Sequence, residues 1–347
     1  MMKSKKHIVL ISPGFPSNEM DTRCIPALQI YCNALNKKES IKLSVIALHY
    51  PFTTKPYEWN QIDVYPLGFQ NRFSIPYFSN KKVTKMIRII HQNDPIDLIH
   101  SFWLGECSMA GHLFSKRNSI DHITTLMGQD AKKGNRYAKL LPLKEMKIVS
   151  VSKFQQDLFY KNYQVRSKLI PWGIDPNLIP PPAKKTIDII GIGSLIPLKD
   201  HAEFINTLSQ LKNDFPGINA MIIGDGKMRS KLEKQIKHLE LEKNVKLLGS
   251  LSYAETQEHL ARSKILLHTS QYESFGMVFA EALANNTYIV SRRVGIAEKS
   301  AHWFICATEK EFNIGCRNFL NSGMATITEY PRMETTVSEY FDHFIQN

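Results

Sequence analysis

YESFGMVFAEALANN, Tyr272 to Asn286, is the stretch from which the fold is read. A short apolar run of strand type, Ile265 to His268 (ILLH), precedes it, and a second, Tyr288 to Ser291 (YIVS), follows. Between them Gly276 to Asn286 reads as a helix, so the unit is a βαβ crossover. Met277 to Leu283 is apolar except for Glu281. An ionised carboxylate on so apolar a helix is costly to bury unless a partner hydrogen-bonds it.

Glu273 stands eight residues earlier, in the loop before the helix. Ser274, Phe275 and Gly276 then bring backbone N–H groups to the helix start, where the dipole favours anions. Gly276 has no side chain to keep a phosphate oxygen away. The stretch reads as an anion cradle with a carboxylate on either side, which suits a diphosphate carrying a sugar at each end. A plainer reading also fits the spacing: Glu281 favoured by the helix dipole and Glu273 solvated in a loop.

The chain has 347 residues, long for a single core, so two domains are expected. A hydrophobic content of 43% with 22% charged residues is ordinary for a soluble globular protein. Cys24, Cys32, Cys107, Cys306 and Cys316 are odd in number and lack metal-type spacing, which reads as reduced, mostly buried thiols in a cytoplasmic protein. The apolar run after MMKSKK ends at Pro13 and Gly14, too early for a signal peptide, and no stretch reaches bilayer-spanning length.

The net charge of +12 is uneven. Residues 1–170 hold 25 Lys and Arg against 12 Asp and Glu, and residues 171–347 hold 19 against 20. Such asymmetry points the first half at an anionic surface. Lys81, Lys85 and Arg88 recur at i, i+4 and i+7 of a predicted helix, with Val83, Met86, Ile87 and Ile90 on its other faces. Phe73, Ile75, Tyr77 and Phe78 precede it in a loop-like stretch. Basic next to aromatic residues suit peripheral docking on an anionic inner membrane face, although a solvated basic face over a core helix fits equally.

Along the first half, strands are read at His7–Ser12, Leu43–Leu48, Leu98–His100, His122–Leu126 and Val149–Ser152, with helices at Cys24–Leu35 and from Lys153. Alternation of this kind predicts a parallel sheet wound on both faces, whose ligands gather at the carboxyl ends of the strands. Three loops belong there: the turn around Gly14, the stretch Asp97–Trp103 with His100, and Thr124–Asp130 with Met127, Gln129 and Asp130. Each has a plainer alternative, namely a turn, a packed histidine and a helix cap at Asp130.

Lys168 to Lys185 holds five prolines and reads as an extended connection without regular structure. The second half opens with the strand Thr186–Gly191 and the loop GIGSLIPLKD, Gly191 to Asp200. As a dinucleotide fingerprint this loop fails at Ile196, where the third glycine belongs. Ala220–Gly224 and Val245–Leu248 are further strands, Gly224–Gly226 (GDG) a tight turn, Tyr253–Arg262 a helix, and 334–347 a terminal helix.

The stretch from Glu273 to Glu281 resembles the E-x7-E signature of the family 4 retaining glycosyltransferases, which have the GT-B fold. The resemblance implies that Glu273 contacts the donor sugar, Glu281 the nucleotide ribose, and the backbone of Ser274, Phe275, Gly276, Met277 and Val278 the diphosphate. Other landmarks follow in order over most of the chain. The loop at Gly14, where backbone could approach a donor phosphate, corresponds to one that faces the interdomain cleft. DLIHSFW resembles D-x-I-H-x-H, with Phe102 for the second His. TTLMGQD resembles T-x-H-G-x-D, with Met127 in place of a histidine and so without a proton to exchange. IPWGID resembles the interdomain I-P-N-G-[VI]-D element. GIGSLIPLKD resembles G-R-L-x-x-x-K, in which Lys199 matches the diphosphate-binding lysine and Ser194 replaces the arginine. VGIAE, Val294 to Glu298, resembles V-G-G-x-x-E.

The expected architecture is α/β, GT-B, two Rossmann-like doubly wound domains facing a central cleft. Residues 1–170 would bind the acceptor, 171–185 link, 186–330 bind the donor, and 331–347 cross back as a helix. The expected activity is retaining transfer from a nucleotide-diphosphate sugar to a saccharide or lipid-linked acceptor for a surface polysaccharide, with Glu273, Lys199 and Asp130 as the catalytic set. No D-x-D occurs, so the metal-dependent single-domain plan lacks its ligands, and neither metal nor cofactor is expected. H-E-x-x-H, G-x-S-x-G and Walker A motifs are also missing. Two rivals are a sugar-nucleotide epimerase of the same fold and a basic nucleic-acid binder; the first needs no acceptor, and the second does not explain the carboxylate pair.

Overall fold

The computed structural model describes residues 5–70 and 76–346. The chain divides into two compact units, one formed by Met1–Trp172 with Met333–Asn347, the other by Gly173–Arg332.

Among the described residues the first unit is built on eight strands: β1 (Lys6–Gly14), β2 (Ile41–Tyr50), β3 (Tyr57–Trp59), β4 (Ile62–Pro66), β5 (Leu98–Phe102), β6 (Asp121–Leu126), β7 (Lys147–Ser150) and β8 (Lys168–Leu169). They run in the order β3-β4-β2-β1-β5-β6-β7-β8, all parallel except the β3–β4 pair. Ile8 to Ile11 are buried on both faces, which puts β1 at the centre, in register with β2 on one side and β5 on the other. Such a strand is a continuous apolar run, because helices cover both faces of a parallel sheet. The sequence reading missed β3 and β4. It also ended β1 at Ser12, whereas Gly14 still pairs with Tyr50.

The second unit contains β9 (Ile187–Ile192), β10 (Ala220–Ile223), β11 (Val245–Gly249), β12 (Ser263–His268), β13 (Tyr288–Arg292) and β14 (Trp303–Cys306). Their order is β11-β10-β9-β12-β13-β14, all parallel. The chain winds outward from β9 through β11, then returns to start β12 on the other side of β9. That reversal between β9 and β12 is a topological switch point, where the loops leaving two neighbouring strands diverge and a crevice opens.

Several boundaries moved for physical reasons. The helix expected from Cys24 begins at Pro26, whose ring fixes φ for a first helical position. The helix expected from Gly276 runs Met277–Ala284, because Gly276 itself is left-handed at φ 82°. The proline-rich connection is not wholly irregular: it contains β8 and a 3-10 turn at Pro176–Leu178, started by Asp175 accepting the Asn177 N–H. Phe73 and Ile75 lie outside the described residues, and Tyr77 and Phe78 fall within the helix Pro76–Asn93 rather than in a loop.

The terminal helix, Met333–Tyr340, completes the first core. Tyr340 is fully buried against Tyr31, with ring centroids 5.4 Å apart, and its hydroxyl meets Thr125 Oγ1 at 2.7 Å. Among the described residues no helix is long and apolar enough to cross a membrane.

Candidate functional site

The loops leaving β9 and β12 meet at the switch point. After β9 the chain makes a 3-10 turn, Pro197–Lys199. After β12 it runs through Thr269–Gly276 to the helix Met277–Ala284. The two loops are stitched together: Thr269 Oγ1 donates to the carbonyls of Lys199 (3.1 Å) and Asp200 (2.8 Å), and the Gln271 N–H donates to Leu198 O at 2.9 Å.

This stitching brings Lys199 and Glu273, 74 residues apart, into a pair. Lys199 Nζ donates to Glu273 Oε1 at 2.5 Å, and His268 Nε2, from the last residue of β12, reaches the same oxygen at 2.8 Å. The Glu273 side chain is 13% exposed and that of Lys199 21%. Burial works to raise the Glu273 pKa, but the bond and charge of His268 and the Lys199 ammonium outweigh it and bring the carboxyl down to about 2. Burial lowers the His268 pKa, while its bond to Glu273 and that carboxylate's charge work the other way. Glu273 is therefore an ionised, oriented carboxylate rather than a solvated one. Lys199 spends one of its three donors on it.

The glycines explain how the backbone reaches this arrangement. A Cβ on Gly276 would sit 2.5 Å from the Phe279 ring, so the left-handed entry to the helix is reserved for glycine. Phe275 is anchored from the other side, its carbonyl accepting the Ile296 N–H at 2.9 Å within the VGIAE turn. The N–H groups of Met277 and Val278, in the first helical turn, have no intrahelical acceptor. Ser194 is exposed in the β9 loop.

Glu281 lies in different company. It is buried on the helix Met277–Ala284 and faces Tyr253 and Gln257 of the helix Tyr253–Ala261. Burial raises its pKa to about 7, and the two neighbours offset this only in part. The Tyr253 hydroxyl and the Gln257 amide nitrogen lie against this carboxyl without well-aligned hydrogen bonds. Asn285 Nδ2 donates to Gln257 Oε1 at 2.9 Å and leaves its own Oδ1 unpartnered. This buried corner keeps hydrogen-bonding capacity to spare, which is uncommon for buried polar atoms. A raised carboxyl pKa means that the folded protein holds a proton the unfolded chain has released. The contribution is fully present below the unfolded value of 4.5 and is lost as pH rises through about 7. Melting of the ligand-free protein should therefore show Glu281→Gln gaining on the parent between pH 5 and 8, by up to about 3 kcal/mol. Parallel pH profiles for the two would show that Glu281 does not carry this proton.

The remaining sequence candidates fall in the first unit. His100 is buried among Tyr31, Phe102 and Tyr340, with Nε2 2.8 Å from Thr125 Oγ1; burial drives its pKa to about 3. It is a neutral core histidine. Asp130 accepts N–H bonds from Leu104 (2.9 Å), Gly128 (3.0 Å) and Met127 (3.3 Å), so its carboxylate pins two loops together. Burial raises its pKa and these bonds restrain the rise. Gln129 is exposed and takes a bond from Lys132 Nζ at 3.3 Å. Gly14 is the last residue of the central strand and not part of a loop.

The sequence reading missed His268, Tyr253 and Gln257. His268 had one visible signal, a histidine closing an apolar strand five residues before Glu273. Among the described residues no group of three or more His, Cys, Asp or Glu is placed to hold a metal.

Residues 179–302 match the family model described as "Glycosyl transferases group 1". An uncharacterised glycosyltransferase of Methanocaldococcus jannaschii is 28% identical over 245 residues, 69% of this chain and 67% of that protein. One component of the human phosphatidylinositol N-acetylglucosaminyltransferase is 31% identical over 130 residues, 37% of this chain and only 27% of its own length. Among solved structures, sucrose-phosphate synthase from Thermosynechococcus elongatus superposes with a TM-score of 0.77 over 99% of both chains at 14% identity, a likeness of fold. The chain thus has the GT-B fold, and over residues 179–302 it is similar to the glycosyl transferases group 1.

Proposed function

We propose that the protein is a retaining, metal-independent glycosyltransferase that moves a hexosyl group from a nucleotide-diphosphate sugar to a saccharide or lipid-linked acceptor in surface polysaccharide synthesis. The observation that carries this reading is the Lys199–Glu273–His268 cluster at the β9–β12 switch point, beside a glycine-led helix start. The cation and the first-turn amides suit a diphosphate, whose negative charge grows as it departs. Glu273, held ionised, accepts hydrogen bonds from hydroxyls of the donor sugar. The Tyr253 and Gln257 side chains against Glu281, with the unpartnered Asn285 Oδ1, suit the hydroxyl-rich ribose at the other end of the diphosphate.

In the proposed step the bond between the anomeric carbon and the diphosphate oxygen breaks. The acceptor oxygen bonds to that carbon on the same face, and the acceptor proton passes to the departing diphosphate. The leaving group acts as base in this scheme, which fits Met127 standing where the family carries a histidine. A lipid-linked acceptor agrees with the name of the human relative, which joins phosphatidylinositol to N-acetylglucosaminyl transfer.

A thermal-shift screen against UDP-, GDP-, ADP- and dTDP-sugars tests the donor. One nucleotide series should stabilise the protein selectively, by about 2.7 kcal/mol at a hundredfold excess over Kd. Product from the responding donor should keep its anomeric configuration. No response to any donor, an inverted product, or C2 inversion of donor incubated alone would each remove the assignment.

A further inference from the structure

A groove of about 400 Å³ lies between the helix Pro76–Asn93 and the helix Glu106–Asn118 in the first unit. Lys81, Lys85 and Arg88 line it from one helix and Arg117 from the other, with Thr84 and Leu113 between them. The first helix contains no acidic residue, and among the described residues none of the four cations is ion-paired. The adjacent Lys116, by contrast, pairs with Glu145 at 3.7 Å. The cations cannot swing away with their helices, because Val83, Ile87 and Ile90 pack with Ala110 and Phe114 in a buried cluster beneath them. Like charges held together raise the local potential until an anion enters.

We infer that this groove docks the protein on an anionic bilayer by seating the phosphate of a phospholipid headgroup. Ile89, 41% exposed, follows Arg88 directly and supplies an aliphatic contact for the acyl boundary. The same features disfavour nucleic acid. Single-stranded binding needs aromatic platforms beside a long basic track, whereas this groove is compact and its apolar lining is Leu113. The inference goes beyond the donor site, since Lys199 and Glu273 belong to the other unit.

Vesicle sedimentation of the full chain tests it. Vesicles containing about one third phosphatidylglycerol should retain the protein, pure phosphatidylcholine should not, and roughly 0.5 M salt should release it. Each cation near such a surface is worth about fivefold in partitioning. A quadruple variant, K81Q/K85Q/R88Q/R117Q, should therefore bind at least about a hundredfold more weakly. A control with the same loss of charge on the second unit, K231Q/K234Q/K237Q/K243Q, should bind like the parent; circular dichroism melts of both variants establish folding. Equal retention on neutral vesicles, or equal loss in the control, would overturn the inference. So would tighter binding to single-stranded RNA than to the vesicles at matched salt, or a tight complex with inorganic phosphate in calorimetry without vesicles.

Discussion

Lys199→Ala is expected to lower kcat/KM for sugar transfer by about 10²–10³, the range for removing one preorganised group that meets charge developing in a transition state. The change removes a cation from the proposed diphosphate site and also strips Glu273 of one of the two donors on Oε1. Glu273→Gln should produce a loss of similar size by a different route: the amide oxygen can still accept from Lys199 and His268, but the negative charge is gone and the second position becomes a donor. A merely structural pair would behave otherwise. Both variants would then lose thermal stability in proportion, while the activity of the folded fraction stayed near that of the parent. The decisive measurement is kcat/KM together with Tm for each variant. Transfer within about threefold of the parent, at matched folding, would mean that the pair does not serve the reaction.

Gly224→Ala should destabilise the protein by about 3 kcal/mol or more, combining a left-handed backbone that alanine avoids with a collision. Gly224 has φ +140°, and a Cβ there would lie 2.0 Å from the Gly193 carbonyl oxygen, a backbone atom that cannot rotate aside. For a unit of this size that corresponds to a fall in Tm of roughly 6–12 °C. Gly217 offers the control, since a Cβ there meets nothing within 4 Å, and Gly217→Ala should fall within about 0.5 kcal/mol of the parent. The GDG turn and the GIGS loop touch at this point: Gly193 N–H donates to Ile223 O at 3.0 Å, and Leu195 N–H to Asp225 O at 2.9 Å. Displacing the turn therefore displaces the loop that carries Lys199. Nucleotide-sugar binding should weaken in any Gly224→Ala protein that still folds, which differential calorimetry with and without ligand would show. A melting curve overlaying that of Gly217→Ala would refute the account.

The central strands were readable because burial on both faces leaves a plain mark: HIVLIS, TIDIIG and ILLH are runs no solvated element would carry. The parallel α/β architecture followed from them and from the helices between. Short or marginal pieces were not readable. β3 and β4 are three and five residues long, β4 ending at Pro66, and β14 has only Trp303 and Cys306 buried among its four residues. Of the candidate site, the glycine-led start of the helix Met277–Ala284 was legible from local chemistry. The pairing of Lys199 with Glu273 was not, because their juxtaposition depends on β9 and β12 being neighbours, a fact of topology. His100 and Asp130 show structural contacts that position along the chain does not reveal. Both are polar residues at strand ends, where ligands gather, yet one fills a core and the other staples loops. Burial, rather than position, separates such cases.

The aromatic core of the first unit includes Trp172 stacked on Tyr31 at 5.2 Å and Tyr340 set against both Tyr31 and His100. Of these four rings, three are encoded before the second unit begins and the fourth only after it has been translated. On the ribosome, then, the leading unit waits with a hole the size of a tyrosine while some 160 residues behind it emerge and acquire their own structure. Its last step of maturation is ordered by translation itself, so premature termination ahead of Tyr340 damages the region synthesised first.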